Sequence, residues 1–87
     1  MSITVELTYD MSKALGVQRF ELEDARTVAD VMRLTRARFE EGEESFEKLT
    51  RVAAIAINGV LINYRKGMKT QLAEGDTVSF LKAASGG

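Results

Sequence analysis

Apolar and polar residues alternate from the start of the chain: Ile3, Val5, Leu7 and Tyr9 are separated by Thr4, Glu6 and Thr8. A period of two puts one set on each face of a strand, so this segment predicts a half-buried β-strand. Asp10 to Gly16 reads as a connection, folded back on the core by Met11 and Leu15. Val17 to Glu23 predicts a second strand with Phe20 and Leu22 inward, close enough in sequence to pair antiparallel with the first. The period changes at Asp24. Thr27 and Asp30 form a capping-box pattern with Asp in place of the usual Glu. Val28, Val31, Met32, Thr35 and Phe39 then recur at helical spacing, with Leu34 at the margin and Arg33, Arg36 and Arg38 facing largely elsewhere. This predicts one amphipathic helix over about residues 27–41, closed by Gly42 as a left-handed cap. Phe46 and Leu49 predict a further short helical turn beyond it.

The second half is richer in strand signals. Arg51 to Ile57 is apolar and β-prone, and Asn58-Gly59 follows it. Asn-Gly between apolar segments signals a tight hairpin, because a type I′ turn needs positive φ at both central residues. Val60-Leu61-Ile62 predicts the return strand. Tyr64 to Lys69 is polar and basic, broken by Gly67, and Leu72 stands alone as a core plug. Glu74-Gly75-Asp76 turns the chain into a last strand, Thr77 to Lys82, with Val78 and Phe80 inward and Leu81 outward. One main helix must bury its stripe on one face of a sheet. If the last strand lies beside the first, the two run parallel through the middle of a mixed sheet, joined by a right-handed crossover. The predicted class is α+β: a β-grasp sheet of four to five strands on one main helix. Residues 1–82 form the single domain and 83–87 an extended tail.

Composition narrows the chemistry. The chain has 87 residues, no cysteine and no histidine. Disulfides, thiolate zinc sites, thiol nucleophiles and the commonest general base and metal ligand are therefore all missing. A net charge of −1 provides no overall field toward nucleic acid or an anionic membrane. No apolar run is long enough to span a bilayer, and Met1 to Asp10 lacks the order of a secretory leader. A cytoplasmic protein with no bound cofactor or metal is expected.

What stands out is the end, Ser85-Gly86-Gly87. A chance Gly-Gly terminus occurs in about one chain in 200. Here it follows a strand and a run of small residues. Two glycines remove every Cβ beside the carboxylate, so the tail can lie extended in a narrow channel of another protein. The element order, the run Glu74-Gly75-Asp76-Thr77-Val78-Ser79-Phe80-Leu81 and this end together resemble the MoaD/ThiS family of ubiquitin-like sulfur carriers. Asn58-Gly59 matches that family's hairpin position. The length of the segment from Thr27 to Leu49 makes the chain look most like the small subunit of molybdopterin synthase. That type commonly has a Pro-Pro pair before the tail. Lys82 and Ala83 stand there instead, which leaves a thiamin-type or other carrier open.

The resemblance implies a role for each site residue. Gly87, supported by Gly86, would be adenylated by a ubiquitin-activating-like enzyme using ATP and Mg²⁺. A persulfide donor would then convert it to a thiocarboxylate. The sulfur would pass to an acceptor in a large synthase subunit or another enzyme, in molybdopterin biosynthesis for the most similar type. The chain would be a carrier rather than an enzyme. Docking is expected on the sheet face away from the helix, near the tail, through Leu81, Phe80, Lys82, Ser85 and, more weakly, Leu61, with Arg65 in the polar rim. Two other readings remain: a ubiquitin-like modifier joined to target lysines through Gly87, and a β-grasp interaction module whose glycines are incidental. The remaining features read as ordinary surface or core. Arg33, Arg36 and Arg38 make a solvated helix face rather than a nucleic-acid stripe. The five glutamates between 40 and 47 lack the ligand spacing of a calcium loop. Tyr64-Arg65-Lys66 with Lys69 is a small basic surface, and Met11, Met32 and Met68 fill gaps or lie outside.

Overall fold

The first strand ends where Thr8 can cap a helix. In the computed structural model, which describes residues 2–38 and 43–82 (43–45 by backbone only), β1 spans Ile3–Glu6. Thr8 has extended backbone and its Oγ accepts the Met11 N–H at 3.1 Å. The segment expected to be a plain connection is therefore α1, Tyr9–Leu15. Gly16 ends it at φ 86°, a left-handed conformation that glycine adopts without a Cβ penalty. Met11 is fully buried, so the connection does fold back on the core. Tyr9 turns out 74% exposed rather than inward, because the chain has left the strand before reaching it.

β2, Arg19–Leu22, is shorter than expected and pairs antiparallel with β1, Ile3 opposite Leu22 and Val5 opposite Phe20. The capping box forms reciprocally. The Asp30 N–H donates to Thr27 Oγ, and Asp30 Oδ2 accepts the N–H groups of Thr27 and Arg26. The Arg26 N–H, foremost, and then Thr27 and the Arg33 guanidinium hold the Asp30 carboxyl below its ordinary pKa. α2 then runs Val28–Arg38, and Val28, Val31 and Thr35 are its buried positions. Phe39 and Gly42 lie outside the described residues. A third helix, α3, covers Glu43–Arg51, a full nine residues where one turn was expected. Phe46 buries its ring in the core, and Glu47 bonds Arg36 at 2.5 Å to join α3 to α2. Arg38 lies 4.2 Å over the Phe20 ring and ties the end of α2 to β2.

Arg51 closes α3, so β3 starts later than expected, at Ala53, and runs to Ile57. Asn58 and Gly59 both have positive φ, 49° and 87°, as the tight turn requires. β4 is only Val60–Leu61, because Ile62 opens a 3₁₀ turn, Ile62–Tyr64, followed by a second, Gly67–Lys69. β5, Thr77–Lys82, is central in a five-stranded sheet of order β2-β1-β5-β3-β4. It runs parallel to β1 and antiparallel to β3. This is the β-grasp arrangement, with α1 where a plain connection was expected and α3 where a single helical turn was expected. One apolar core joins Ile3, Val5, Ile57, Val78 and Phe80 of the sheet to Met11, Val31 and Phe46 of the helices, and Leu72 plugs it as expected.

Candidate functional site

The site is built around β5. Its entry is locked by side chains: Asp76 Oδ2 accepts the Ala73 N–H at 2.8 Å, and Asp76 Oδ1 accepts from Asn58 Nδ2 at 2.9 Å. Asn58 Oδ1 accepts the Thr77 N–H at 2.9 Å, so the hairpin tip and the turn into β5 fix each other. From there β5 is bonded on both edges, by β1 through Ser79 and by β3 through Lys82. The strand is thus held by two neighbours through Ser79 and by β3 alone from there to Lys82, its last described residue.

Alternation along β5 gives its faces opposite characters. Val78 and Phe80 point into the core at 0% and 1% exposure. Phe80, expected among the docking residues, is corrected here: a buried ring meets no partner, and its part is to hold β5 in place. Leu81 lies on the other face, beside Ala54 of β3, and is 45% exposed. Leu61 is half-buried on that same face, in a row across the sheet with Ala56 and Ser79. Ala56 is nearly inaccessible although it lies on this outer face, between Leu61 and Ser79. Lys82 is exposed at the strand's end. The structure therefore brings Leu81 and Leu61 to one face of the sheet, while alternation puts Lys82, at the end of β5, on the parity of Val78 and Phe80. Ser85, Gly86 and Gly87 lie outside the described residues.

Beside Leu81 is an open concavity of about 490 Å³, lined in part by Glu6, Tyr9, Ser12, Arg19 and Ser79. Because β1 and β5 are parallel, the end of β1 and the start of α1 border the end of β5. Glu6 organises the polar side: it accepts the Ser79 hydroxyl at 2.9 Å and faces Arg19 at 3.7 Å. Sequence reasoning did not connect Tyr9, Ser12 and Arg19 with this end. The signal was available in Thr8 and Gly16, which bound a helix there, but seven residues are too few to show a helical period. Among the described residues no group of three or more carboxylates, cysteines or histidines converges as a metal site. None of the described helices is long and apolar enough to cross a membrane.

The arrangement is shared. The chain is 26% identical to small archaeal modifier protein 1 from Methanosarcina acetivorans, with a TM-score of 0.79 over 99% of this chain and 96% of that one. It is 26% identical to a chain in the complex of subunits 1 and 2 of molybdopterin-converting factor from Helicobacter pylori, with a TM-score of 0.66 and both chains covered completely. A chain of the Amycolatopsis orientalis BexX/CysO complex shares the fold at 22% identity, with a TM-score of 0.73 over 98% of this chain and 99% of that one. No curated protein sequence matches significantly. The profile of the ThiS family matches residues 8–87, nearly the whole length. The chain belongs to the ThiS family, the ubiquitin-like sulfur carriers.

Proposed function

We propose that Gly87 carries sulfur as a thiocarboxylate for molybdopterin biosynthesis. The observation that carries this reading is the family match running through Gly87, on a chain whose preceding strand is the central one of the sheet. A carboxylate is a poor electrophile. Its oxygen attacks the α-phosphorus of ATP on a ubiquitin-activating-like enzyme, releasing pyrophosphate, with Mg²⁺ held by that enzyme. The acyl-adenylate then has a good leaving group. A persulfide sulfur attacks the carbonyl and AMP departs. A second thiol cleaves the acyl disulfide, leaving the thiocarboxylate to give sulfur to a pterin precursor in a large synthase subunit. The chain's own contribution is geometric: a rigid sheet aims a thin arm. Leu81, with Leu61 and Lys82, docks the activating enzyme and the acceptor. Likeness to the Helicobacter pylori subunit supports the molybdopterin acceptor and a heteromeric synthase.

Likeness to the archaeal modifier supports a second reading, conjugation of Gly87 to lysines of target proteins. Activation would be common to both. The test is an intact mass after incubation with ATP, Mg²⁺, an activating enzyme of this family and a sulfur source. Replacement of one oxygen by sulfur, absent when Gly87 is deleted, is the expected result. Unchanged mass with an enzyme active on its own carrier would overturn the sulfur reading, and Gly-Gly remnants on lysines in cell extract would favour the modifier.

A further inference from the structure

Charge is segregated along this chain. From Lys48 to Ala73 there are five basic side chains and no carboxylate. Three of the five, Arg65, Lys66 and Lys69, crowd into the segment after β4 built of the two 3₁₀ turns. All three are exposed, and among the described residues none forms an ion pair with a carboxylate. With Tyr64 they line a concavity of about 470 Å³. Tyr64 is 80% exposed, and Met68, in the same segment, is also exposed.

This segment is not a loose loop. The Lys66 N–H donates to Thr70 Oγ at 3.0 Å, and Thr70 is buried. The Thr70 carbonyl accepts the Val28 N–H at 3.1 Å, and the Leu72 N–H donates to the Arg26 carbonyl at 2.8 Å. Thr27 and Gln71 form a bridge between these bonds. The basic segment is thereby clamped to the start of α2. The carboxylate there, Asp30, is already engaged by the N–H groups of Arg26 and Thr27 and by Arg33.

We propose that residues 64–71 are a second docking surface, which takes an acidic segment of a partner protein. Fixed cations without counter-charges attract carboxylates and steer their approach. Tyr, Met and Arg are the side chains enriched where proteins meet, and a base clamped in advance lowers the ordering cost of binding. Charge complementarity favours a short acidic segment over a nucleic acid. The net charge of −1 includes these three cations, so the rest of the chain carries −4. A polyanion long enough to extend past the patch meets that repulsion. The surface borders β4, two strands from β5, and acts independently of the tail.

The test titrates the full isotope-labelled chain with a short peptide of alternating glutamate and leucine, and separately with oligouridylate of equal length, reading amide shifts. Peptide-induced shifts concentrated on 64–71 and weakening with salt are expected. The R65E/K66E/K69E variant should lose about tenfold or more in affinity while amides of β1 and β5 keep their positions. The single variant Lys69→Gln, a milder change in case the triple disturbs the fold, should lose a measurable fraction. Deleting Gly87 should change nothing, so failure of the thiocarboxylate reading leaves this one standing. Shifts scattered over the whole surface, affinity indifferent to charge reversal, or tighter binding of oligouridylate at 64–71 would each overturn it.

Discussion

The two faces of β5 are made from neighbouring residues and obey different rules. Val78 and Phe80 are sealed against Val5, Ile57 and the helices, and only their size and shape matter. Ser79 and Leu81, one residue away, border solvent across a row that mixes Leu61 and Ala56 with Glu6 and Arg19. One face fixes where the strand is. The other leaves Leu81 45% exposed and outside the core cluster. A split of this kind lets the exposed face change without unseating the strand.

The largest effect should come from the sealed face. Phe80→Ala removes a fully buried ring from the strand that holds the tail and should cost about 3–5 kcal/mol. A urea titration reads this directly, and an unchanged midpoint would break the contrast at its root. The open face should behave in the opposite way. Leu81→Asp should leave stability within about 0.5 kcal/mol yet weaken association with an activating enzyme about tenfold. Calorimetric binding alongside a thermal melt separates the two quantities, and a large fall in melting temperature would place Leu81 among the structural residues. The smallest effect probes an inconsistency on the sealed side. Thr35 is fully buried and its Oγ has no hydrogen-bond partner among the described residues. Thr35→Val keeps the shape and removes the unmet hydroxyl, so it should stabilise by about 1 kcal/mol. A loss instead would show that the hydroxyl has a partner in solution.

Alternation and helical spacing were enough to place β1, α2 and β5, while the parallel pairing of β5 with β1 entered only as a condition on the topology and is seen in the structure. Those elements carry their pattern over enough residues to be read, and Asn58-Gly59 and Glu74-Gly75-Asp76 mark their turns by backbone requirement. The misreadings share a cause. α1 has only Met11 and Leu15 at helical spacing, and it is defined by its ends, Thr8 and Gly16, rather than by its middle. α3 begins in a run of glutamates that reads as solvated turn, although Phe46 and Leu49 lie one helical turn apart. Ile62 leaves β4 to open a 3₁₀ turn in which its side chain is buried, a tertiary placement with no local signature. The outward placement of Leu81 was legible from its parity alone. The groove beside it was not, since its walls come from residues more than 60 positions earlier in the chain.

The pairing of β5 with β1 also sets an order in time. Thr4 lies opposite Thr77, and the Ser79 hydroxyl reaches Glu6, both across 73 positions of sequence. Contacts of such separation form slowly, because the intervening chain must be closed into a loop before they return any stabilisation. During synthesis β1, β2 and the helices leave the ribosome long before their central strand exists, and the middle of the sheet stays an open slot. Insertion of β5 fills that slot. The step that completes the fold is therefore also the step that fixes Lys82, from which the chain continues toward Gly87.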